Sequence, residues 1–186
     1  ILKLTSCASC ANLVTTTSNN GYLSQRQYRE NMMENFDQLA APGYPIFLGS
    51  EFAHPKPEDA FFHVLPVPYE ASVSYGGGTG SGPAAILGAS WQLEIWDGKS
   101  NPSEKGIYTH APVNVKGKPE KVIDNIAAAT KALVKSGGFP IGLGGEHSVT
   151  YGIIKGLLDA GISDFGVVQI DAHADLREAY EGNPYS

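Results

Sequence analysis

The 186-residue sequence predicts an α/β domain of three layers, α/β/α, around a mainly parallel sheet that is incomplete in this chain. Three observations predict it. The run Phe61-Phe62-His63-Val64-Leu65-Pro66-Val67 is apolar without polar alternation, as a strand covered on both faces must be. Residues 119–136 place Val122, Ile126, Ala129 and Leu133 on one helical stripe, with Ile123, Thr130 and Val134 beside it. Residues 139–143, 148–160 and 165–170 then read strand, helix, strand, a spacing that implies parallel pairing through a right-handed crossover.

Taken in order, residues 1–59 are expected to form an N-terminal extension, partly flexible, and 60–186 a domain. The first 29 residues are rich in Ser, Thr and Asn and hold no acid before Glu30, the composition of a flexible leader with a slight likeness to a transit peptide. Cys7 and Cys10 are the two cysteines; with no second Cys or His pair nearby they read as free thiols. No disulfide framework is present, which fits a reducing, cytoplasmic setting. After the strand at 61–67 come prolines and the loop Gly76-Gly77-Gly78-Thr79-Gly80. Gly82-Pro83 is expected to start a helix reaching Trp96, because Pro suits a first helical turn. A Gly, Asn and Pro-rich loop over 98–118 follows, then the striped helix, stopped by Gly137-Gly138.

Composition excludes several functions. A net charge of −6 argues against a nucleic-acid surface, which needs clustered cations to replace phosphate counterions. The same charge favours a cationic small molecule. No apolar run approaches the roughly 20 residues that span a bilayer, so no membrane role is expected.

Two motifs stand where an open parallel sheet places ligands, beyond the carboxyl ends of its strands. Gly144-Gly145-Glu146-His147-Ser148 follows the strand at 139–143: paired glycines permit close backbone approach, His147 stands at the strand tip, and Ser148 is placed to cap the next helix. Asp171-Ala172-His173-Ala174-Asp175 follows the run at 165–170. In an extended segment 171, 173 and 175 project to one face, bringing two carboxylates and an imidazole together. Two such carboxylates repel unless a divalent cation lies between them. The competing reading is an Asx-type turn that catches a histidine. An oxygen-rich set with some imidazole suits Mn²⁺ better than Zn²⁺.

These motifs, about two dozen residues apart, resemble the first two signatures of the ureohydrolase (arginase/agmatinase) family. Pro66-Val67-Pro68-Tyr69-Glu70, Ser74-Tyr75 and Gly80-Ser81-Gly82-Pro83-Ala84-Ala85-Ile86 resemble its early strand, loop and helix. The resemblance covers about residue 60 to the end. It implies an arginase-like fold and two Mn²⁺ per complete site: His147 and Asp175 on one ion, His173 on the other, Asp171 bridging both. It also implies the chemistry, in which a hydroxide shared by the ions, positioned by Asp171 as the catalytic residue, attacks a guanidinium carbon to release urea. Family members add two aspartates from a later D-x-D motif and a proton-transfer histidine; the sequence stops at Ser186, so four of six ligands are expected here and the chain reads as C-terminally truncated.

The loop after Asp175 resembles the agmatinase-like branch. Arginases usually carry Asn two positions beyond that aspartate; here the position is Arg177. This favours agmatine, giving putrescine and urea in polyamine biosynthesis, although an Arg can also pair with a carboxylate. Glu181 and Tyr185 are candidates for lining the pocket, or members of a solvated loop. Alternative substrates are guanidinobutyrate, arginine and formiminoglutamate; a non-catalytic metal-binding relative is the alternative of another class. Homo-oligomers, trimeric or hexameric, are what the resemblance implies. His54, His63 and His110 match no family motif and read as ordinary histidines.

Overall fold

A computed structural model describes residues 43–49 and 54–186. Both cysteines and most of the expected extension lie outside the described residues. Three strands form one parallel sheet: β1 (Phe62–Val67), β2 (Ile107–Thr109) and β3 (Phe139–Gly144), in the order β2-β1-β3. β1 is central because its residues are buried on both faces, the property that identified it in the sequence. It pairs with β3 along its whole length, from Phe62 opposite Phe139 to Val67 opposite Gly144.

The two faces of β1 carry separate apolar clusters. Leu65 and Val67 pack with Val122, Ile123, Ile126 and Ala129 of helix α2 (Pro119–Lys135) and Val149 of helix α3 (Val149–Asp159). Val64 turns the other way, onto Leu87 of helix α1 (Gly82–Ala89), Ile107 and Leu48. Helices on both faces make the three layers. Burying a side chain such as Ile126 or Leu87, each 0% exposed, contributes about 1.5–3 kcal/mol. Helices α2 and α3 meet closely at Gly156, where an added Cβ would stand 2.6 Å from the Ala127 carbonyl oxygen. Residues 43–49, inside the expected extension, join the domain: Phe47 N donates to Thr109 Oγ1 at 3.0 Å and Leu48 N to Ser90 Oγ at 2.8 Å.

Three expectations need correction. The helix begun at Gly82 ends at Ala89 rather than near Trp96, because Ser90 Oγ donates back to the Leu87 carbonyl at 2.6 Å, the chain tightens into a 3-10 turn over Ser90–Gln92, and Leu93 is extended. The loop over 98–118 contains β2 and a 3-10 turn, Pro102–Lys105. A three-residue strand is too short for periodicity to register; its pairing with β1 creates it. The expected strand over 165–170 is absent: the segment is coil, with Val167 49%, Val168 57% and Ile170 80% exposed. Apolar content states what a segment can bury, but a strand also needs a ladder partner, and 165–170 has none among the described residues.

Candidate metal centre

Val67 and Gly144 are opposite one another, so the ends of β1 and β3 open onto the same rim. The turn after β3 is pressed against the loop after β1. Gly145 has φ +56°, and a Cβ there would lie 2.6 Å from the Val67 carbonyl oxygen, so that close approach requires glycine. Glu146 N then donates to the Tyr69 carbonyl at 2.8 Å. The Glu146 carboxylate turns inward, 6% exposed, and accepts from the amides of Ala71 and Ser72, from Ser72 Oγ at 2.7 Å and from Ser148 Oγ at 2.6 Å. Burial raises its pKa, but the bonds from Ser148, Ala71 and Ser72 outweigh burial and hold it below the usual carboxylate range. Ser148 was expected to cap α3; its hydroxyl is committed to Glu146 instead and makes no cap bond.

His147 emerges from this turn with its side chain 79% exposed, Nδ1 3.3 Å from Asp171 Oδ2 and 3.7 Å from Asp175 Oδ2. One ligand atom from each of His147, Asp171 and Asp175 lies within 4.8 Å of the others. His173 stands outside that trio, its Nδ1 3.7 Å from the other oxygen of the same carboxylate, Asp171 Oδ1. Asp171 thus faces His147 through one oxygen and His173 through the other, while Asp175 meets the same His147 imidazole.

The convergence does not arise from strand alternation as expected. Asp171 Oδ1 accepts from the His173 amide at 2.9 Å, an Asx-type turn, and Asp175 has φ +51°. The turn that competed with the metal reading is therefore present together with the cluster. Gln169 Nε2 donates to the His173 carbonyl at 3.1 Å and tightens it. The His173 amide, against a smaller opposing effect of burial, and then the His147 imidazole hold the Asp171 carboxyl below its ordinary pKa, keeping it ionised and ready for a cation.

The three candidates for substrate contact lie on the following loop. The Arg177 guanidinium sits over the Tyr180 ring at 5.4 Å, Glu181 is exposed with φ +49°, and Tyr185 is half-buried, tilted against Tyr151 at 6.1 Å between ring centres. Sequence reasoning assigned no role to Glu146, Ser72 or Glu70. Glu70 accepts from the amides of Gly78 and Gly80 and folds the glycine loop back beside the rim. The Gly80 and Gly78 amides lower its pKa against burial. The available signal for Glu146 was a carboxylate wedged between a glycine pair and a candidate ligand, which neither solvent nor a nearby cation explains.

A donor set of two carboxylates and an imidazole, with a second imidazole beside the shared carboxylate, fits a hard divalent ion that prefers oxygen. A sequence profile of the arginase family matches residues 60–186. The N(1)-aminopropylagmatine ureohydrolase of Synechocystis sp. is 39% identical over 133 residues, which cover 67% of this chain and 44% of that protein. The agmatinase of Bacillus anthracis is 32% identical over 137 residues, covering 72% of this chain and 47% of that one. Among solved structures, the agmatine ureohydrolase of Thermoplasma volcanium superposes with a TM-score of 0.59 at 27% identity, over 73% of this chain and 48% of that chain. The chain spans about half the length of the relatives it matches. The paired parallel strands with helices on both faces accompany these matches, and the chain belongs to the arginase family.

Proposed function

We propose that this chain supplies the first part of a two-manganese ureohydrolase site that cleaves agmatine, with water, to putrescine and urea. The observation that carries the reading is the Asp171 carboxylate, with His147 near one oxygen and His173 near the other, and Asp175 beside the same His147 imidazole. In this reading His147 and Asp175 would hold one ion and His173 the other, with Asp171 shared between them. The ions supply Lewis acidity, which makes water a nucleophile near neutral pH and polarises the substrate. The chain's own groups orient and select. Asp171, kept ionised by its local bonds, presents one oxygen toward His147 and the other toward His173. The acidic surround attracts a guanidinium cation. Arg177, engaged with Tyr180, leaves no Asn at the position where arginases hold the amino-acid end of arginine, which supports a substrate without an α-carboxylate. Homo-oligomeric assembly and a cytoplasmic setting belong to the same reading.

A second substrate is favoured by one observation: the aminopropylagmatine relative is more similar, at 39%, than the agmatinase, at 32%. The full-length protein carrying this sequence, loaded with Mn²⁺, should be given agmatine, N(1)-aminopropylagmatine, guanidinobutyrate, arginine and formiminoglutamate in parallel, with His173→Ala as control. Urea from agmatine, lost in the control, supports the proposal. Urea from aminopropylagmatine alone moves the assignment to that substrate. Formamide from formiminoglutamate overturns it, and Mn²⁺ binding with no turnover on any substrate makes the protein a non-catalytic relative.

A further inference from the structure

We propose that Glu146 is a positioning residue, a buried tether that joins the loop after β1 to the turn carrying His147 and thereby sets that imidazole against Asp171. The inference rests on the reading of His147 as a metal ligand. Its basis is a hydrogen-bond set that spends a buried carboxylate on four neutral donors: Ala71 N, Ser72 N, Ser72 Oγ and Ser148 Oγ. A carboxylate taken out of water is costly unless its lone pairs are used, and an apolar side chain of similar volume is commonly as stable or more so in such a place. What the carboxylate provides that an apolar group lacks is direction. One oxygen grips the amides of the loop. The other takes both hydroxyls, and the bond to Ser148 spans His147 itself, so the two neighbours of that residue are joined over its backbone.

The main chain adds a third connection, Glu146 N to the Tyr69 carbonyl at 2.8 Å, and Gly145 lies against the carbonyls of Val67 and Tyr69. His147 therefore has its backbone held from both sides while its imidazole stands 79% exposed. No partner of the imidazole among the described residues other than Asp171 and Asp175 gives it a direction, so its aim is set from behind. Groups that support a metal ligand in this way typically change metal affinity about 10- to 100-fold when removed.

The test uses the full-length protein carrying this sequence, with Mn²⁺ affinity measured by calorimetric titration and unfolding followed in the metal-free protein. Glu146→Ala should bind Mn²⁺ about 10- to 100-fold more weakly. Glu146→Gln keeps one oxygen for the amides of Ala71 and Ser72 and an amide that the hydroxyls can accept from, and should recover most of the affinity. Ser148→Ala removes only the bond over His147 and should weaken Mn²⁺ binding several-fold with little change in unfolding, which keeps the test decisive if Glu146→Ala does not fold. Parent affinity in folded Glu146→Ala or in Ser148→Ala overturns the proposal, as does a Gln variant no better than Ala, since charge rather than direction would then matter. His147→Ala separates the two readings. If it binds Mn²⁺ as the parent does, the metal centre itself is misread; if it is impaired while the Glu146 variants are not, only the tether falls.

Discussion

Two histidines that match no family motif form an acid-sensitive point of the described fold. His63 on β1 and His110 just after β2 are each 2% exposed, with His63 Nδ1 2.9 Å from His110 Nε2. The His110 amide donates to Val64 at 2.9 Å, and the Tyr108 ring meets the imidazole edge-on at 4.8 Å. Burial, and after it the facing His63, push the His110 pKa down to about 3. Burial lowers His63 as well, opposed by the Ala60 carbonyl. A base whose folded pKa lies below its unfolded value of about 6.5 binds fewer protons when folded. Stability is therefore whole above pH 6.5 and falls as pH drops toward 3. Each pH unit in that window removes about 1.36 kcal/mol, so lowering pH from 7 to 5 should remove about 2 kcal/mol through His110 alone. His110→Asn retains a hydrogen-bonding group toward His63 but cannot titrate. Denaturant unfolding of the metal-free full-length protein at pH 7 and pH 5 should show the parent losing about 2 kcal/mol more than the variant. Equal losses would show that the imidazole pair does not carry the acid sensitivity.

Gly145→Ala must strain a φ of +56° and drive a methyl group into the Val67 and Tyr69 carbonyls; it should destabilise the fold by about 1–3 kcal/mol in denaturant unfolding and weaken Mn²⁺ binding together. His173→Ala should leave the trio of His147, Asp171 and Asp175 intact, so metal analysis after dialysis should find fewer Mn²⁺ per chain than in the parent but not none. An unchanged Mn²⁺ content would remove His173 from the site. Hydrogen exchange should report the exposed coil at 165–175, whose local opening separates the ligands: Mn²⁺ at 100 times its Kd should slow exchange there by up to about 100-fold, and rates unaffected by Mn²⁺ would show that the segment does not close on the metal.

The fold was legible wherever one element carried its own burial pattern. β1 announced itself because it is covered on both faces, and α2 because a stripe of Val122, Ile126, Ala129 and Leu133 repeats with the helical period. Elements that depend on a distant partner were not legible. β2 is three residues held by β1, and the end of α1 is set by Ser90, whose oxygen links Leu87 within the helix to Leu48, 42 positions away in the chain. Residues 165–170 err in the opposite direction: their apolar composition matches that of a strand, but their backbone has no ladder partner among the described residues.

The candidate site divides along the same line. The residues that the structure gathers, His147, Asp171, His173 and Asp175, could be listed from the sequence because few side chains are metal donors and these four stand in two short motifs. The way they converge could not be read there, since it depends on a side chain bonding its own backbone. With strict strand alternation, Asp171, His173 and Asp175 would share a face; with the Asx-type turn and the positive φ at Asp175, Asp171 instead stands between His147 and His173, one oxygen toward each. That arrangement suits a bridging ligand better than a common face does, because a bridge must present two oxygens in two directions. Glu146 escaped notice for the complementary reason. Its importance lies in donors from Ala71 and Ser72, 75 and 74 positions away, and proximity of that kind exists only once β1 and β3 have paired.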